Sequence, residues 1–185
     1  MKLGYLLFDR ITWLDFIGVY DPLTRLKSMG FLPDLSWETC AFELPVRDSF
    51  GLAMVPDKIG EPLHDYDVLI VPGGFGTRDL IQREDFMDWV KTAGPVPLKA
   101  SICTGSLILG AAGFLQGKRA TTHFDEYAAL TPMCGEVVKA RIVEDDGLIT
   151  AGAVATSLDL GLHLVEKWAG TKAREQIRQR MDYPA

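Results

Sequence analysis

Apolar residues along the chain fall into short continuous runs separated by segments of helical spacing. Lys2 to Phe8 is a nearly unbroken apolar run and predicts a buried first strand. Asp15 to Met29 places Phe16, Val19, Leu23 and Leu26 on one helical face, with Pro22 expected to bend or restart the helix. Leu35 to Phe42 reads as a strand, and Val46 to Val55 as a β excursion around Gly51. Asp67 to Pro72 is a strand buried on both faces, and Thr77 to Ala93 a helix with Leu80, Ile81, Met87 and Val90 inward. The run Leu98 to Ile102 ends at Cys103, where an apolar helix rich in small residues begins at once. Arg119 to Thr122 predicts a short strand and Asp125 to Leu130 a short helix. Val137 to Val143 and Leu148 to Ala151 are expected to pair as a hairpin across Asp145-Asp146-Gly147. Ala155 to Trp168 and Thr171 to Arg180 read as the last helices.

Buried strands alternating with amphipathic helices imply an α/β fold, a three-layer α/β/α sandwich of flavodoxin-like type with a mainly parallel sheet. No repeat, low-complexity tract or linker divides residues 1–185, so a single domain is expected. Ligands on such sheets bind beyond the carboxyl ends of the strands. Three stretches fall there: Pro72-Gly73-Gly74, Cys103, and Gly152-Ala153-Val154.

Composition narrows the function classes. With 48% hydrophobic and 24% charged residues the chain is an ordinary globular protein, and its net charge of −6 speaks against a nucleic-acid surface. No apolar run is long enough to span a membrane, and the N-terminus reads as a strand rather than a signal peptide. The three cysteines, Cys40, Cys103 and Cys134, lie far apart with no metal-ligand spacing. An odd count without an export signal implies reduced thiols in a cytoplasm.

Strand, sharp turn and helix around Cys103 put its thiol at a corner, beside the unpaired N–H groups of a helix N-terminus. A thiol there is expected to ionise easily and act as a nucleophile. The plainer reading is a buried cysteine serving as a small hydrophobe. In Val71-Pro72-Gly73-Gly74-Phe75-Gly76 a dinucleotide fingerprint is weak, because Asp79 stands where the third glycine belongs. Two compatible readings remain: a tight turn, or a turn aiming N–H groups at a developing oxyanion. Asp15 is either a helix N-cap or a carboxyl brought near the cysteine, its proton held by burial. His123 is a candidate base for Cys103 or a tie to backbone. His64 and His163 read as structural, Asp159 as internally paired, and the last helix as a solvated face.

Ser101-Ile-Cys103-Thr104-Gly105-Ser106, with the segment running on to His123, resembles the nucleophile elbow of the ThiJ/PfpI superfamily, which has the class I glutamine-amidotransferase-like fold. Leu14-Asp15-Phe-Ile-Gly18 and Val71-Pro72-Gly73-Gly74 are similar to that family's other site segments, and the subgroup most resembled is the isonitrile hydratases. The resemblance implies Cys103 as nucleophile, Asp15 as the acid that holds and passes a proton, and Thr104 as donor of a hydroxyl and a backbone N–H. Gly73 and Gly74 would line the anion-stabilising pocket, with Val154, Ile17 and His123 around it. The implied reaction hydrates a small organic isocyanide to an N-substituted formamide, with no metal or organic cofactor. A homodimer is the family habit, with Phe31 and Trp37 either at an interface or in the core.

Some positions depart from the pattern. Thr104 stands where peptidase-like and deglycase-like members have histidine, so their Cys-His pair is absent. Ile17 and Val19 replace an expected threonine and proline, and Ala151-Gly152-Ala153-Val154 is poorer in glycine than the family segment. The alternatives are a thiol redox sensor that does not turn over, or a glyoxalase-like or deglycase-like enzyme on reactive carbonyls. No helix-turn-helix region is read in the chain, so direct DNA regulation is not expected.

Overall fold

A computed structural model describes residues 1–184. The strands are β1 (Lys2–Leu7), β2 (Ser36–Ala41), β3 (Lys58–Ile59), β4 (Val68–Val71), β5 (Leu98–Ile102), β6 (Arg119–Ala120), β7 (Glu136–Val137), β8 (Ile142–Asp145) and β9 (Leu148–Ala151). Seven of them form one sheet in the order β3-β2-β1-β4-β5-β9-β8, parallel except for the β8–β9 hairpin, while β6 and β7 make a small separate ribbon. Residues of β1, β4, β5 and β9 are nearly all buried, as strands covered on both faces require. The helices are α1 (Trp13–Ser28), α2 (Thr77–Leu80), α3 (Glu84–Lys91), α4 (Gly105–Ala111), α5 (Tyr127–Leu130) and α6 (Thr156–Arg180). Helices α1 and α6 pack together on one face of the sheet, and α2 to α4 group on the other. The expected α/β/α sandwich is present.

Helix α1 continues through Pro22 without a restart there. The helix runs through it because Pro22 meets α6 at Gly161, where a Cβ would sit 2.8 Å from the proline ring. One turn earlier, a Cβ on Gly18 would lie 2.0 Å from Ser157 Oγ. Small residues on both helices thus let α1 approach α6 closely. The final segment is two helical pieces, as expected, joined at Gly170 with φ 82°.

Two expected elements are divided and a third is reduced. The helix predicted over 77–93 splits into α2 and α3 at the extended Arg83, whose guanidinium pairs with Glu43 and Asp85. Glu84 and Asp85 then favour a fresh helix N-terminus. The strand expected over 137–143 breaks into β7 and β8, with the Ala140 N–H turning back to the Val138 carbonyl at 2.9 Å. The excursion over 46–55 reduces to a single antiparallel bridge, Arg47 to Ala53, around Gly51 at φ 98°. Trp37 is half-buried against Tyr20, their ring centroids 5.7 Å apart, and Phe31 is half-buried on the core edge. Asp159 pairs with Arg141 and accepts from the Tyr183 hydroxyl at 3.0 Å.

Candidate active site

Strand β5 ends by delivering Cys103 into a left-handed conformation, φ 55°. Such a backbone costs a non-glycine residue about 1–2 kcal/mol, so something must hold it there. The Cys103 N–H donates to the carbonyls of Ala151 (3.0 Å) and Gly152 (2.8 Å), both at the end of β9. The Cys103 carbonyl accepts from Ser106 Oγ and Thr122 Oγ1, each at 3.1 Å. Gly105 completes the corner, because a Cβ there would lie 2.0 Å from the Val71 carbonyl oxygen. The strained elbow is therefore pinned from three neighbouring segments.

Asp15 reaches the same place from the first turn of α1, fully buried. It does not cap its helix, whose N-cap is Thr12. Its Oδ2 accepts the Gly73 N–H at 3.0 Å, its Oδ1 is buried with no hydrogen-bond partner, and the Cys103 thiol lies beside the carboxyl. Burial raises its pKa to about 7, against the opposing pull of the Gly73 N–H and the thiol.

The expectation of an easily ionised thiol is overturned. Burial and then the nearby Asp15 charge push Cys103 up to about 12, while the Thr104 N–H and hydroxyl pull it down. Helix α4, which begins beside the thiol, has only seven residues.

The Gly73 and Gly74 N–H groups are committed within the protein, not open to a substrate anion. The first serves Asp15, and the second donates to Thr104 Oγ1 at 3.0 Å. Thr104 Oγ1 donates in turn to the Gly74 carbonyl at 3.1 Å. The turn thus ties the acid and the Thr104 hydroxyl into one network, with Gly74 lining the cavity.

A cavity of about 350 Å³ opens over Cys103, Thr104 and Gly74, walled by Thr12, Phe75, Arg78, His123, Asp125, Glu126 and Val154. That is within the usual range for a small-molecule site. Val154 and His123 both line it. His123 Nδ1 accepts the Asp125 N–H at 3.2 Å and its ring stacks on Phe124, so it braces its own turn. Ile17 does not reach the cavity and is 45% exposed on α1. Arg78, paired with Glu126 across the mouth, escaped the sequence reading, since nothing in local spacing links the two. A separate cavity of about 250 Å³, near the ends of β1 and β2, holds no nucleophile. Among the described residues no group of three or more His, Cys, Asp or Glu is placed to hold a metal ion.

Residues 6–167 match the DJ-1/PfpI family. The isonitrile hydratase of Pseudomonas putida is 37% identical over 185 residues, covering 99% of this chain and 78% of that protein. The HTH-type transcriptional regulator GbdR of Pseudomonas aeruginosa is 26% identical over 98% of this chain but only 50% of its own length. Among solved structures, a ThiJ/PfpI family protein from Pseudomonas syringae superposes with a TM-score of 0.88 at 31% identity, over 100% of this chain and 75% of that one.

Proposed function

Because the chain belongs to the DJ-1/PfpI family, we propose that it turns this family's nucleophile elbow to the hydration of small organic isocyanides. One observation carries the reading: the buried carboxyl of Asp15 beside the Cys103 thiol, its pKa raised to about 7 and its Oδ2 held by the Gly73 N–H. An isocyanide has an end-on carbon that needs one nucleophile and one proton donor at almost the same point. Asp15 takes the thiol proton as the sulfur attacks the terminal carbon of R–N≡C, then delivers it to that carbon. A carbon–sulfur bond forms, giving the thioimidate Cys–S–CH=N–R. Water adds to the same carbon, its protons passing to the nitrogen and, by way of Asp15, to the departing sulfur. The carbon–sulfur bond then breaks to release R–NH–CHO and restore the thiol. The Phe75 and Val154 side of the cavity suits an apolar R group.

No helix among the described residues is long and apolar enough to cross a membrane; we propose a cytoplasmic setting on the ground of the free cysteines Cys40, Cys103 and Cys134. We extend the proposal to a homodimer. Leu14, Ile17, Phe50, Leu52 and Val55 are exposed, and the Trp13 indole N–H donates to the Leu52 carbonyl at 2.9 Å, joining the loop to α1. These residues replace Phe31 and Trp37 as candidates for the face that a second copy would cover. Light scattering on the eluting protein tests this, with a mass of two chains expected.

The test of the reaction is formamide production from a panel of aliphatic and aromatic isocyanides. Wild type should turn over, Cys103→Ala should not, and Asp15→Asn should lose most of the rate. Wild type inactive on the whole panel, or an active Cys103→Ala, overturns the assignment.

A further inference from the structure

Arg78 of α2, and Asp125 and Glu126 of the turn that follows β6, stand in the wall of the cavity over Cys103. Arg78 is the one lysine or arginine in that wall. Its guanidinium pairs with the Glu126 carboxylate and lies over the Phe75 ring at 5.5 Å, with Nη1 3.4 Å from the Gly74 carbonyl. The Glu126 side chain is only 19% exposed, whereas Asp125 is open to solvent. The mouth therefore holds a neutral pair and one further carboxylate. An anion that enters finds the one cation already taken, and must shed water beside two carboxylates.

We propose that Glu126 sets the charge of the substrates this site accepts: by occupying Arg78 it admits uncharged electrophiles and turns away those that carry a carboxylate. For the proposed reaction that means alkyl or aryl isocyanides rather than isocyano acids. A guanidinium released from Glu126 would be a ready carboxylate binder beside the nucleophile, because its fork matches two carboxylate oxygens. The plainer role for the pair is a tie between α2 and the turn after β6, with no effect on selection and little on stability. The inference rests on Cys103 being the nucleophile of the proposed function but not on which electrophile it attacks, so its test reads alkylation rather than turnover.

The measurement is the ratio of alkylation rates by iodoacetamide and iodoacetate at one pH and low salt, read from the mass of the peptide that carries Cys103. With either reagent the thiolate displaces iodide and a carbon–sulfur bond forms, and the two differ only in an amide against a carboxylate. One thiolate meets both, so any change a substitution makes in its ionisation cancels in the ratio. In wild type the ratio of amide to carboxylate rates should exceed that of a small neutral thiol, N-acetylcysteine amide, by about tenfold. Glu126→Gln keeps the size and an oxygen for the guanidinium but drops the charge, and should lower the ratio about tenfold. Glu126→Gln combined with Arg78→Gln should return the wild-type ratio, since Asp125 is then again the uncompensated charge. A wild-type ratio equal to the small thiol's, an unchanged ratio in Glu126→Gln, or a double variant with the ratio of Glu126→Gln alone would each overturn the proposal. A Cys103 that neither reagent alkylates would overturn it together with the nucleophile assignment.

Discussion

The Asp15 carboxyl sits beside the Cys103 thiol at the buried end of the sheet, held there by the Gly73 N–H, which donates to Asp15 Oδ2 at 3.0 Å. The contact acts in opposite directions on its two members. It favours the Asp15 carboxylate, which the S–H group stabilises, and disfavours the Cys103 thiolate, which the carboxylate repels. At neutral pH the pair therefore rests as carboxylate and thiol or as acid and thiol, and reaction begins when a proton crosses between them.

Activity should follow the Asp15 charge. Its pKa is raised to about 7, so below that pH the carboxyl is already protonated and has no place for the thiol proton. The kcat/KM for an isocyanide should rise through about pH 7 and level off above it. A profile that is flat from pH 5 to 9 contradicts this role.

Asp15→Asn should exchange activity for stability. A carboxyl whose pKa goes from 3.8 unfolded to about 7 folded costs nothing below the first value, and its penalty accumulates up to the second. About three units at 1.36 kcal/mol each give up to about 4 kcal/mol in favour of the amide above pH 7. Denaturant unfolding at pH 4 and pH 8 should show the variant's advantage only at the higher pH.

Gly105→Ala should break the elbow. The added methyl would meet the Val71 carbonyl at 2.0 Å, a backbone atom that cannot swing aside. A loss on the order of 3 kcal/mol in stability is expected, as for an overpacked core, with a fall in Cys103 labelling rate.

Strain at the nucleophile gives a separate signature. Cys103 has φ 55°, which glycine adopts freely and alanine does not. Cys103→Gly should therefore be more stable than Cys103→Ala by about 1 kcal/mol in the same unfolding assay. Alanine equal to or above glycine would mean the turn relaxes when the sulfur is removed.

Features written in local patterns were legible from the residues. The uninterrupted runs at β1, β4 and β5, and the cysteine between strand and helix, depend on neighbours a few positions apart. What escaped depends on distant partners. Pro22 looks like a break until Gly161 of α6 is seen against it, and the interruption at Arg83 answers to Glu43 in another loop. Asp15 is a capping residue by spacing alone, and its grip on Gly73 spans 58 positions. The ionisation of Cys103 follows the same rule: the helix end beside it is local, whereas the burial that raises its pKa is tertiary.

The most direct test of cysteine-dependent hydration is intact-protein mass spectrometry of samples quenched with acid during turnover of an isocyanide. The expected result is an adduct heavier by one isocyanide, on the peptide that carries Cys103, appearing during turnover and vanishing as formamide accumulates. Formamide released steadily with no such adduct at any time, and undiminished in Cys103→Ala, would contradict it.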